Sequence, residues 1–337
     1  MTMTPPVKFS AFLILFAVTV AFPLVVSLPT YQNFAILVLM VAQLGVAWNI
    51  LGGYAGQVSL GHAAFFGIGA YTSSALVTLA GLSPWIGLVA GAGMACLFAL
   101  VVGAICFRLK GHYFAMATIA VAEIVQVVIS NCDPLSGAVG IYLPLTPRGA
   151  AAFVFSGKAP YYYIALTLLA ASLLVNHLIA RSRVGYYLRA IKDEPDAARS
   201  LGINLPRLKL IALAVSSALT AMGGTLYAQK ELFIDPPSVL GTQLSLKIAL
   251  VAILGGVGTL WGPVIGAAVL VAIEECSRIF FGSSGLGTDM IVYGTLIIVV
   301  AVKSPSGIAG LLRAGVQALQ ARRRPGVAAP QEVEERA

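Results

Sequence analysis

The segment ATIAVAEIVQVV places a carboxylate, Glu123, and an amide, Gln126, three residues apart. On a helix the two share a face. A carboxylate in so apolar a run either lines a polar path, braces a neighbouring helix by hydrogen bonding, or snorkels toward the end of its segment. A second polar set, Gln57, Ser59 and His62, lies in LGGYAGQVSLGHAAFFGIGAY (51–71), where closely spaced glycines interrupt the apolar pattern. These side chains are candidates for a translocation pathway, although a histidine in such a setting is more often a hydrogen-bonded structural residue than a ligand. Gln43 and Asn49, six apart, read as packing glue between helices.

Other chemistries are excluded. No Ser, His and acid arrangement suits nucleophilic catalysis, and no His, Cys and carboxylate set has metal-ligand spacing. Cys96, Cys106, Cys132 and Cys276 form no CxxC pair and read as small buried hydrophobes. No G-x-x-x-x-G-K-[ST] loop is present to cradle a nucleotide phosphate. The expectation is a chain without catalytic residues, metal or cofactor, and not an enzyme.

One charged segment stands apart, DAARSLGINLP (196–206). Pro195 suits the first turn of a helix, Asp196 complements its positive end, and Gly202 suits the position just past its close. The result is a two-turn helix over 195–201 on a basic loop, 181–209. So short a helix is unstable alone and leans either on the protein's own surface or on a partner. The loop is the longest polar stretch between apolar runs, more than a connector needs.

The elements that position these residues follow from composition. The chain has 337 residues, 59% hydrophobic and 10% charged, against roughly 45–50% apolar and about 25% charged in soluble domains. It is a membrane protein. With about 20 apolar residues needed per crossing, spans are expected at 9–28, 33–51, 63–82, 84–107, 113–130, 161–180, 210–230, 244–254, 264–280 and 289–302. The eighth is short for a full crossing. The first lacks a small-x-small cleavage site, so it is kept as a span rather than a signal peptide. The fold class expected is an all-α polytopic membrane protein of about ten transmembrane or half-membrane helices. Residues 1–310 form the membrane domain, and 311–337 a charged, Ala- and Pro-containing tail that is partly disordered.

The net charge of +8 does not indicate nucleic acid, because the basic residues sit at the ends of apolar runs. With the amino terminus inside, Arg108, Lys110, the loop 181–209 and Arg322 to Arg324 share the cytoplasmic side, and the weakly charged 131–160 loop falls outside. Lys247, Glu274, Glu275 and Arg278 need partners or water, and Glu274 with Arg278 has i, i+4 spacing. The stretches LGGYAGQ and LGGVGTLWGPVIGA (254–267) echo each other. Their glycines Gly52, Gly56, Gly258, Gly262 and Gly266 serve either close helix packing or half-helices beside a pathway.

DAARSLG resembles the EAA motif of ABC importer permeases, Glu-Ala-Ala-x-x-x-Gly, with Asp196 for Glu, then Ala197, Ala198 and Gly202. The downstream Ile-x-Leu-Pro element is compressed to INLP (203–206). With GYAGQVSLGHAAFFGIGAY, RLKGHYFAMATIAVAEI (108–124) and ILGGVGTLWGPVIGA, the chain from 31 to 310 resembles the LivM-type permease subunit of branched-chain amino acid ABC importers. The resemblance implies a type II ABC importer-like fold in a bacterial cytoplasmic (inner) membrane. It makes Pro195, Asp196, Ala197, Ala198 and Gly202 the coupling helix that docks on a separate ATPase subunit. The implied partners are two such ATPases, a second homologous permease and a periplasmic binding protein. The same machine could carry urea, short amides or aromatic acids. An ion-coupled secondary transporter would need more intramembrane acids than Glu123.

Overall fold

The computed structural model describes residues 19–281, apart from 27, 110 and 146–148, and scattered positions between 291 and 310. Its main helices are α1 (Pro29–Asn49), α2 (His62–Ala80), α3 (Pro84–Cys106), α4 (His112–Ser130), α5 (Ala159–Arg181), α6 (Arg183–Asp193), α7 (Pro195–Ser200), α8 (Leu205–Glu231), α9 (Pro236–Leu240), α10 (Thr242–Gly255) and α11 (Gly262–Phe281). A π-helical turn, Ile50–Tyr54, prolongs α1. Proline opens α1, α3, α5, α7, α8 and α9, because its missing N–H costs nothing in the first turn.

Among the described residues, seven helical stretches are long and apolar enough to cross a membrane, counting α1 with its π turn as one and α9 with α10 as another. The chain is therefore a helical, multi-pass membrane protein. The expected spans between 33 and 280 fall on observed helices, with ends shifted by a few residues at most sites. The 244–254 expectation is corrected: α9 and α10 together give a 20-residue stretch, Pro236–Gly255. The expected span 289–302, Lys110, Arg322 to Arg324 and the tail 311–337 lie outside the described residues, as does most of 9–28.

The buried spine is α1, α2 and α8. The most apolar window of Pro29–Tyr54 is 78% buried, whereas that of α4 is 17% buried. α8 packs on α2 and α3 through glycines. A Cβ on Gly69 would lie 2.1 Å from Ala221 O, one on Gly224 2.0 Å from Phe66 O, and one on Gly91 3.1 Å from Gly69 Cα. Thr225 Oγ1 donates to Gly69 O across the same crossing at 3.1 Å. Backbones meet where no side chain intervenes, the usual solution for helix association in lipid. On the opposite end from the loop 181–209, a two-residue strand β1 (Ile141–Tyr142) pairs antiparallel with β2 (Phe233–Ile234). That pair ties the 131–158 connection to the end of α8, a small departure from an all-helical chain.

The expected Glu274–Arg278 pair does not form. Lys247 Nζ on α10 donates to Glu274 Oε2 at 2.5 Å, and Arg278 Nη2 donates to Glu275 Oε1 at 2.5 Å. α10 packs along α11, so Glu274 turns to the neighbouring helix's cation and leaves Arg278 to the adjacent acid.

Candidate functional site: the 181–209 loop and the glycine-rich crossing

The loop 181–209 contains two helices where one was expected. Ser182 is extended, and its Oγ accepts from Gly185 N at 3.3 Å, which starts α6 after a sharp bend. Gly185 is required there, since a Cβ would sit 2.1 Å from Ile179 O. α6 is amphipathic, with Leu188 and Ile191 fully buried and Tyr186, Arg189 and Lys192 partly exposed. Glu194 alone separates it from α7.

α7 has two unlike sides. Ala198 is buried against Ile191 and Leu205, and this small cluster fixes α7 to α6 and α8. Pro195, Asp196, Ala197, Arg199 and Ser200 are exposed. Asp196 lies 3.6 Å from Arg199 Nη1, an exposed pair of small energetic weight. Leu201, just past the helix, is 81% exposed. Gly202 has φ of +79°, and a Cβ there would touch nothing. Glycine is thus demanded by backbone conformation rather than by space. The helix closes with Gly202 N bonded to Arg199 O at 2.9 Å and Ile203 N to Ala198 O at 3.2 Å. Ala198 was expected to face a partner with Ala197, but it faces the chain itself. The outward side of α7 is Ala197, with Leu201 one turn on.

The second feature lies where the two glycine-rich breaks meet. Residues 50–61 follow α1, and 256–261 join α10 to α11. A Cβ on Gly53 would stand 2.8 Å from Gly258 N, so the two backbones abut. Asn49 joins them: its Nδ2 donates to Thr259 O at 3.0 Å, and its Oδ1 accepts from Gly258 N at 2.8 Å. Lys192 on α6 donates from Nζ to Gly53 O at 3.0 Å.

His62, at the first turn of α2, is fully buried. Ser216 Oγ on α8 gives its single proton to Ala47 O at 2.7 Å. It therefore accepts from His62 Nε2–H at 2.9 Å, which leaves Nδ1 to accept from Ser59 Oγ at 3.1 Å. Both ring nitrogens are satisfied, and the imidazole has no free atom for a solute. Ser59 is equally buried, while Gln57 is half-buried and its Nε2 donates to Ala55 O at 3.3 Å. The same loop is pinned to α4, because Leu60 N donates to Thr118 Oγ1 at 3.0 Å. Gln57, Ser59 and His62 thus lie together, as their sequence proximity implies.

Glu123 and Gln126 stand apart from them, further along α4. Glu123 is exposed and accepts from the hydroxyl of Thr242 at the start of α10, and Gln126 is half-buried. Among the described residues no group of His, Cys, Asp and Glu could hold a metal ion.

A model of the family described as branched-chain amino acid transport system / permease component matches residues 30–301. The chain belongs to that family. It is 30% identical over 331 residues to the high-affinity branched-chain amino acid transport system permease protein LivM of Escherichia coli (strain K12), covering 91% of this chain and 76% of that one. It is 25% identical over 284 residues to LivH of Salmonella typhimurium, covering 80% of this chain and 91% of that one. A probable LivM of Methanocaldococcus jannaschii is 24% identical over 271 residues, 72% of this chain. Sequence reasoning did not single out Leu201, Lys192, Ser216 or Thr118, whose exposure or contacts the structure brings forward. Only Leu201 carries a sequence signal, an apolar residue next to a helix-ending glycine on a basic loop.

Proposed function

We propose that this permease is one membrane subunit of an ATP-driven ABC importer that carries branched-chain amino acids inward across a bacterial inner membrane. In this reading α7 and Leu201 dock in a separate ATPase subunit. A second, homologous permease completes the pathway, and a periplasmic binding protein delivers the cargo. About ten crossing or half-crossing helices in a type II importer-like arrangement would make up the membrane domain, with 311–337 as a cytoplasmic tail.

The observation that carries the docking role is the two-sided α7. Ala198 anchors it to α6 and α8, while Ala197 and the 81%-exposed Leu201 project outward. A leucine left in water on a basic loop gains about 1.5–3 kcal/mol when a partner buries it. The methyl of Ala197 lets that partner approach closely. α8 runs into the buried spine, so a push on α7 reaches the membrane core through a continuous helix.

The test replaces Ala197→Trp and Leu201→Glu in the assembled transporter. The Leu201 change removes that burial and places a charge in the groove, so ATPase affinity falls by about 10- to 100-fold. Expression and membrane insertion stay normal, because neither side chain packs on the membrane domain. Recovery of the ATPase subunit in pull-down and leucine uptake both fall. Full ATPase recovery and full uptake in both variants would show that 195–202 is only a surface turn.

A further inference from the structure

The helix preceding the docking segment reaches back to the glycine-rich crossing through two cations. Lys192 Nζ donates to Gly53 O at 3.0 Å. The carbonyls at the end of a helix have no partner within it, and an ammonium supplies a stronger bond than a neutral donor. The Lys192 stem lies across Gly56, where φ is +66° and a Cβ would come 2.9 Å from Lys192 Cγ. Nζ also stands 3.7 Å from where a Cβ of Gly258 would be. It therefore sits at the junction of both breaks. One turn earlier, Arg189 holds its guanidinium 5.7 Å from the centre of the Tyr54 ring. The Tyr54 hydroxyl donates to Asn176 Oδ1 at 2.5 Å, and Asn176 Nδ2 donates to Val46 O at 3.1 Å.

Both cations sit on one side of α6, whose Leu188 and Ile191 are anchored in separate clusters. Ile191 packs directly on Ala198 of α7. A displacement of α7 is thus carried into α6 by packing. It passes from α6 to the crossing through an ammonium held on a main-chain oxygen.

We propose that Lys192 is a positioning residue that couples movement of the docking helix to the Gly53–Gly258 crossing, with Arg189 on Tyr54 as its second point of attachment. This role rests on the docking reading of α7. It assigns Lys192 to neither ATPase binding nor cargo binding. Gly56 combines a φ of +66°, which itself favours glycine, with the Lys192 stem passing over it.

The experiment uses the complete transporter with its ATPase and binding protein in proteoliposomes, with leucine as the transported probe. Lys192→Met keeps the stem over Gly56 and removes the donor. ATPase recovery stays at the wild-type level and hydrolysis continues, while leucine moved per ATP falls about tenfold, as expected for loss of one charge-assisted bond. Lys192→Arg retains a cationic donor and recovers most of the transport ratio. An unchanged transport ratio in Lys192→Met overturns the proposal, and so does a loss of uptake that merely follows loss of bound ATPase. Failure of the docking reading has a different signature, namely full ATPase recovery and uptake in Ala197→Trp and Leu201→Glu.

Discussion

His62→Leu separates a structural histidine from a pathway ligand. The imidazole is fully buried, donates to Ser216 Oγ at 2.9 Å and accepts from Ser59 Oγ at 3.1 Å. Leucine fills much of the same volume and makes neither bond. Ser216 keeps its own bond to Ala47 O, and Ser59 Oγ still accepts from Gly61 N at 3.4 Å, so neither hydroxyl is wholly stranded. The loss is then two hydrogen bonds of about 1 kcal/mol each. The edge-on contact with Phe65, 88° between planes at 5.6 Å, adds about 0.5–1 kcal/mol. The expected destabilisation is about 2–3 kcal/mol in sum. It reads out as a lower unfolding midpoint of the detergent-solubilised complex and as reduced abundance in membranes. Uptake per folded transporter stays unchanged, since no ring atom is free for cargo. A variant as stable as the wild type that has nonetheless lost uptake would refute the reasoning and make the imidazole part of the pathway.

Two further outcomes follow from contacts. Gly224→Ala puts a Cβ 2.0 Å from Phe66 O, so α2 and α8 must separate; a loss of about 1–3 kcal/mol is expected, measured as a lower unfolding midpoint. Gly93→Ala in α3 meets nothing within 4 Å, so it leaves the midpoint unchanged or higher, and equal effects in the two variants would refute the tight crossing. At Glu123 the bond is an acceptance from the Thr242 hydroxyl, which an amide oxygen also accepts. Glu123→Gln therefore retains more uptake than Glu123→Ala at equal membrane abundance, and equal loss in both would mean that the charge itself is required.

What the sequence made legible is what local physics governs. Pro195 and Gly202 mark the ends of α7 because a fixed φ and a positive φ are properties of single residues. The spans were readable because their apolar composition must match the bilayer. The orientation of α7 was not readable: in six residues, only the position of Ile191 and Leu205 decides that Ala198 turns inward and Ala197 outward. α6 was missed because its basic residues hide the spacing of Leu188 and Ile191, although that spacing is helical. Glu274 was assigned to Arg278 by a rule for isolated helices, and Lys247 on the neighbouring helix overrode it. Lys192 with Gly53, and Glu123 with Thr242, are separated by 139 and 119 residues. No local pattern connects residues so far apart.

The distribution of packing also bears on which parts move. α2, α3 and α8 meet through Gly69, Gly91 and Gly224 with main chain against main chain. Such contacts have no side chain to rearrange, so sliding these helices would require separating them, and they behave as one body. The crossing of 50–61 with 256–261 is built differently. Its backbones are held by the side chains of Asn49 and Lys192, in segments where Gly56, Gly256 and Gly258 have positive φ and glycine leaves the dihedrals free to change. Bonds from side chains can be exchanged one at a time, whereas the glycine crossing must open as a whole. In the importer proposed above, driven from α7, the spine would be the stiff body and the glycine-rich crossing the compliant joint. Lys192 is attached to the joint.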